Sequence, residues 1–309
     1  MCAMVFGCTV FLEYSCVIQG GVIMKSRWMK AISGAMVSAL ILASASVAVF
    51  AEEANTESTT EAVTEATSEA GMETESESEE TCIGEHATVE VNGVSLYYEV
   101  AGEGKPVVLV HGNGGNHKVF HTEIQQLVDA GYQVYALDSR GQGENAPLDE
   151  YHYDDMAEDV YQFINKLELD KPAYYGWSDG GIIGLTLEIA HPDTLSVMAI
   201  SGTNLNPEGA DPDVIASIKE VNDENPDPLN TLMLTEPNID PEDLKNITIP
   251  VLVTAGSNDV ILKEHTELIA DSLPNSELKI VDGEDHGSYI QDSDIMGKLL
   301  IDFLQEHDY

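Results

Sequence analysis

Gly176-Trp177-Ser178-Asp179-Gly180 sets one hydroxyl between two glycines in the pattern G-x-S-x-G. An apolar run, Ala173-Tyr174-Tyr175, precedes it, and a segment of helical spacing, Gly180 to Ala190, follows it. That context predicts a sharp strand-to-helix turn that lifts the Ser178 hydroxyl above the carboxyl ends of the strands. A serine hydroxyl is a weak nucleophile and needs a neighbouring base. The helix behind it supplies amide donors and the positive end of a dipole.

Three further segments offer the missing parts. His111-Gly112-Asn113-Gly114-Gly115 follows the apolar run Val107 to Val110. Glycines let a backbone come close to a reacting carbonyl. The amides of Asn113 and Asp179 are the expected oxyanion donors, and losing one such donor typically costs about 3 kcal/mol of transition-state stabilisation. His111 itself reads as a structural histidine that fixes the loop. Asp259, in Ala255-Gly256-Ser257-Asn258-Asp259, stands just past the run Val251 to Thr254. A carboxylate there can accept an imidazole N–H and fix the tautomer. His286, in Gly283-Glu284-Asp285-His286-Gly287, follows the run Glu277 to Val281 and is the expected base. Asp179, beside the serine, is expected to turn its side chain aside and take no acid role.

The elements that must position these groups alternate. Residues 87–91 and 95–100 flank Asn92-Gly93 and predict an antiparallel pair at a sheet edge. Runs at 107–110, 133–137, 173–175, 196–200, 251–255 and 277–281 predict strands. Helical spacing covers 119–130, 153–167, 180–190, 263–272 and 294–305. In 153–167, Met156, Val160, Phe163, Ile164 and Leu167 form one stripe. Such alternation predicts an α/β fold, a mostly parallel twisted sheet with helices on both faces. The rhythm breaks from Gly202 to Ile249, which is rich in Pro and Asn. A lid over about 203–246 is expected there, with short helices at 214–221 and 241–244.

The remainder of the chain reads as address and spacer. A basic stretch, Met24 to Lys30, precedes an apolar Ala/Ser-rich run from Ala31 to Phe50 that ends in Val49-Phe50-Ala51. These are the three regions of a secretory signal within residues 1–51, with Met24 the expected true start. The competing reading is an uncleaved membrane anchor, the one route to a membrane. Residues 52–82 are dominated by Glu, Thr, Ser and Ala and predict a disordered acidic linker, so the folded domain is expected over 83–309. The catalytic part is thus expected outside the cytoplasm, secreted or at the cell surface.

The 309 residues carry 55 acidic and 13 basic side chains, a formal net charge of -42. That surface repels nucleic acid and anionic headgroups, so neither is an expected partner. A small-molecule substrate is. Of the four cysteines, Cys2, Cys8, Cys16 and Cys82, no two make a CxxC pair, and a thiolate zinc site is not expected.

Together the motifs make residues from about 87 to 309 resemble the α/β-hydrolase superfamily. The chain order Ser…Asp…His matches that fold. The resemblance implies a triad of Ser178, Asp259 and His286, oxyanion amides at Asn113 and Asp179, and no metal or organic cofactor. Asp138-Ser139-Arg140-Gly141-Gln142-Gly143 resembles the family's structural D-x-R-G-x-G loop. Two departures stand out: Asn145 replaces a serine common after that loop, and the lid is short and rich in proline. The implied activity is cleavage of a carboxylic ester, lactone or thioester through an acyl-enzyme. Amidase, C–C bond hydrolase and perhydrolase chemistry use the same scaffold, and a non-catalytic surface binding protein is the alternative of another class.

Overall fold

A computed structural model describes residues 83–309. The expected signal (1–51) and acidic linker (52–82) lie outside the described residues. Among the described residues no helix is long and apolar enough to cross a membrane.

Eight strands form one sheet in the order β1-β2-β4-β3-β5-β6-β7-β8. β1 (Glu85–Val91) and β2 (Val94–Ala101) are antiparallel around the Asn92-Gly93 turn, and β2 meets β4 (Tyr132–Leu137) antiparallel. β3 (Lys105–Val110), β4, β5 (Ala173–Trp177), β6 (Met198–Ser201), β7 (Val251–Gly256) and β8 (Ser276–Val281) run parallel. Val107 to Val110 have almost no exposed surface, as a central strand covered on both faces must.

Each sheet face has its own core. Helices α2 (Tyr153–Lys166), α3 (Asp179–Ala190) and α6 (Lys263–Ser272) cover one, burying Met156, Val160, Phe163, Ile182 and Ile269. The stripe predicted for 153–167 is the buried one, with Leu167 at its half-buried end. On the other face, α1 (His121–Asp129) and α7 (Ile295–Glu306) bury Ile124, Leu127, Leu300 and Phe303. The helix predicted to begin at 119 starts instead with a 3-10 turn, His117–Phe120, capped by the Asn116 side chain on the Lys118 amide.

The order of strands creates the crevice that chemistry needs. From β3 the chain moves outward to β4, then crosses back to β5 on β3's other side. The loops after β3 and β5 therefore leave in opposite directions and open a gap at the carboxyl ends of adjacent strands.

The 138–143 loop is structural. Asp138 accepts the His117 and Glu144 amides at 2.6 and 2.8 Å. Buried Arg140 grips Asp159 with two bonds, Nε at 2.6 Å and Nη2 at 2.5 Å. Asn145 replaces the common serine without loss of order. Its Nδ2 donates to the Asp138 and Ser139 carbonyls, and its Oδ1 accepts the Tyr97 amide at 2.9 Å.

Between β6 and β7 the excursion is more helical than expected. It holds α4 (Pro212–Glu224), longer than the predicted 214–221, and α5 (Pro228–Thr235), which the sequence reading missed. The short helix expected at 241–244 is a 3-10 turn over Asp243–Asn246. Both helices put proline at the start behind an aspartate: Asp211 accepts the Asp213 amide, and Asp227 accepts those of Leu229 and Asn230. Proline is pre-set for a first helical turn, where its missing N–H costs nothing.

Candidate active site

Ser178 sits at the tip of the turn between β5 and α3, with φ 55° and ψ −114°. A side chain held there costs about 1–3 kcal/mol, tolerated where the surroundings fix it. They do fix it: the Ser178 amide donates to the Ser201 carbonyl at 2.7 Å, and its own carbonyl accepts the Gly181 amide at 2.9 Å. Only glycine fits at 180, because a Cβ there would lie 1.9 Å from the Val110 carbonyl oxygen. The G-x-S-x-G spacing thus lets α3 press against β3.

The β3 loop arrives from the other side of the crevice. A Cβ at Gly112 would lie 3.0 Å from the Ser178 Cβ and 3.7 Å from its Oγ. Buried His111 holds this loop, with Nδ1 2.7 Å from the Gly112 carbonyl and Nε2 accepting the Ser139 amide at 3.0 Å. Burial pulls its pKa down, so the ring stays neutral. The amides of Asn113 and Asp179 have no partner among the described residues. Asp179 heads α3, where the first amides are free by construction.

Asp259 and His286 come from the loops after β7 and β8. His286 Nδ1 is 2.7 Å from Asp259 Oδ1, and both side chains are buried. The Ile261 amide donates to the same oxygen at 2.9 Å, and Gly256 to the other at 3.3 Å. Asp285 ties the turn around His286 by accepting the Gly287 and Ser288 amides. Trp177 Nε1 donates to the His286 carbonyl at 2.9 Å. The His286 backbone is therefore anchored directly to the residue before Ser178. Among the described residues no hydrogen bond yet closes between Ser178 Oγ and the His286 ring. Bonds of this kind are often long without substrate and tighten once it binds.

Two contributions escaped the sequence reading. Gly202, at φ 58°, lies against the imidazole: a Cβ there would come within 2.6 Å of His286 Cε1. Its signal was a glycine directly after a strand of the parallel set. The second is the setting of Asp179. Its buried carboxylate accepts Asn113 Nδ2 at 3.0 Å and the Tyr153 hydroxyl. Burial pushes it up to about 6, while the bonds from Asn113 and Tyr153 act the other way. The side chain is turned aside, and it braces the loop that carries the Asn113 amide. Asn113 Nδ2 also reaches the Leu229 carbonyl at 3.5 Å, so α5 overhangs the loop. A groove of about 430 Å³ lies between residues 149–152 and α5, and none of Ser178, Asp259 and His286 lines it.

The family described as the alpha/beta hydrolase fold matches residues 105–230, which span the β3 loop, the serine turn and the start of the excursion. The chain belongs to the α/β-hydrolase superfamily. As a superfamily member it is 27% identical over 250 residues to the human serine hydrolase BPHL, covering 71% of this chain and 86% of that protein. It is 25% identical over 268 residues to the non-heme chloroperoxidase CPO-A1 of Kitasatospora aureofaciens, covering 70% and 98%. The thermophilic esterase of Thermogutta terrifontis superposes with a TM-score of 0.63 at 20% identity, covering 73% of this chain and all of that one, a likeness of fold. The chain is an enzyme of this hydrolase family.

Proposed function

We infer that this protein is a secreted serine hydrolase that cleaves an ester-like small molecule (a carboxylic ester, lactone or thioester) through an acyl-enzyme. The observation that carries the reading is the buried His286–Asp259 pair at 2.7 Å, tethered through Trp177 to the strained Ser178 turn. Ser178 Oγ attacks the carbonyl carbon as His286 Nε2 takes its proton. The carbonyl π pair moves to oxygen, where the Asn113 and Asp179 amides receive it. Asp259 accepts the Nδ1–H, fixing the tautomer and stabilising the imidazolium. Collapse breaks the bond to the leaving group, which takes the proton from His286. Water then attacks the acyl carbon, His286 takes its proton and returns one to Ser178, and the acid departs.

A relative named serine hydrolase supports hydrolysis through a serine, while the relative named non-heme chloroperoxidase keeps perhydrolysis on the same scaffold as the second reading. Secretion rests on the signal-like residues 1–51 alone. A panel of p-nitrophenyl esters of graded acyl length tests the activity. Turnover by the wild type, abolished in His286→Gln, is expected. No turnover of any ester, with turnover of a vinylogous diketone, would move the assignment to C–C cleavage.

A further inference from the structure

We propose that His86, Glu99 and His117 form a divalent transition-metal site, of zinc type, that pins the edge hairpin to the turn after the β3 loop. The three residues come from three elements. His86 on β1 stands opposite Glu99 on β2 in register, and His117 opens the 3-10 turn that precedes α1. One donor atom from each lies within 4.8 Å of the other two.

The hydrogen bonds leave His117 Nε2 and Glu99 Oε2 facing one another. Asp138 Oδ1 is 2.8 Å from His117 Nδ1, so this carboxylate takes the ring N–H. That fixes the tautomer with a lone pair on Nε2. His117 is fully buried, and its Nε2 has no hydrogen-bond partner. It faces Glu99 Oε2 at 3.9 Å. Glu99 is also buried, and its other oxygen is occupied by the Gly84 amide at 2.7 Å. Two electron-rich atoms thus confront each other away from water, an arrangement that costs free energy unless a cation stands between them. His86 completes the set. Its Nδ1 is bound to the Tyr97 hydroxyl at 2.6 Å, which frees Nε2, and its ring meets that of His117 edge-on at 5.4 Å.

Each imidazole therefore has its Nδ1 held by an oxygen and its Nε2 available, the outer-shell pattern of metal-ligating histidines. Two imidazoles and one carboxylate suit zinc with a fourth position for water, and are too few oxygens for calcium or magnesium. Tetrahedral zinc sets its donors about 3.3 Å apart, so the 3.9 Å gap closes by small side-chain rotations. The site stands at the β1 end of the sheet, whereas Ser178, Asp259 and His286 follow β5, β7 and β8. It takes no part in the acyl transfer proposed above. The alternative occupant of the gap is a proton, making His117 an imidazolium between Asp138 and Glu99.

The test uses the full chain stripped with a chelator, titrated with Zn²⁺ by calorimetry and with Co²⁺ by visible absorption. One equivalent should bind, with the intense d–d bands of four-coordinate Co²⁺ and a rise in melting temperature on adding Zn²⁺. His86→Ala changes an exposed side chain on the edge strand, so its fold is safe, and it should weaken binding at least tenfold and abolish the bands. Glu99→Gln should do the same. Absence of stoichiometric binding would overturn the site in favour of the imidazolium. Equal affinity in wild type and both variants would overturn it in favour of adventitious binding to the acidic surface.

Discussion

Replacing Asp179 by Asn tests whether burial next to Ser178 controls a charge. The Asp179 carboxyl rises from its ordinary 3.8 to about 6, chiefly through burial. An acid whose folded pKa is raised destabilises the fold as pH climbs. The cost is absent below the unfolded value, grows between the two values, and is complete above the folded one. A shift of this size is worth about 3 kcal/mol above pH ~7, and about 1 kcal/mol at pH ~4.5. Asparagine is nearly isosteric. It can still accept from Asn113 Nδ2 and can donate to the Tyr153 hydroxyl, so the brace survives without the charge. Urea unfolding at the two pH values should show Asp179→Asn more stable than wild type, by about 2 kcal/mol more at the higher pH. The backbone amide is untouched, so reaction of Ser178 with an active-site probe should persist. A variant no more stable at neutral pH, or one whose gain is equal at both, would refute the reasoning.

Glu123 makes the same argument in the core. Burial pushes it up to about 8 from 4.5, its own backbone amide offsetting only part. The cost is therefore complete only above pH ~8, and Glu123→Gln should gain about 3 kcal/mol relative to wild type between pH ~5.5 and ~9, read from denaturant midpoints. A gain that does not change with pH would contradict it. Gly202→Ala puts a methyl 2.6 Å from His286 Cε1. It should lower kcat by about tenfold or more, following the sensitivity of catalysis to small misplacements, while circular dichroism shows the sheet intact. Wild-type kcat in a folded Gly202→Ala would remove that glycine from the account.

The fold was legible because its central strands are buried on both faces. Val107 to Val110 and Val251 to Val253 are continuous apolar runs that fit the interior of a parallel sheet. The groups of the candidate site were legible because each follows a strand closely. Ser178 comes directly after β5, Asp259 three residues after β7 and His286 five after β8. What stayed hidden depends on contacts between distant segments. Nothing local links Gly202 to His286, or Asp179 to Tyr153, or His86 to His117. Helix α5 was missed for a different reason. Pro228 reads as a breaker unless Asp227 before it is recognised as a cap.

In the proposed mechanism the Ser178 hydroxyl becomes nucleophilic because His286, held by Asp259, stands ready to take its proton. A fluorophosphonate probe, followed by mass mapping of the labelled peptide, measures this without knowledge of the substrate. Stoichiometric adduct on Ser178, lost in Ser178→Ala and slowed by orders of magnitude in His286→Gln, is the predicted result. A folded wild type that takes up no label, or labels at the same rate without His286, would contradict it.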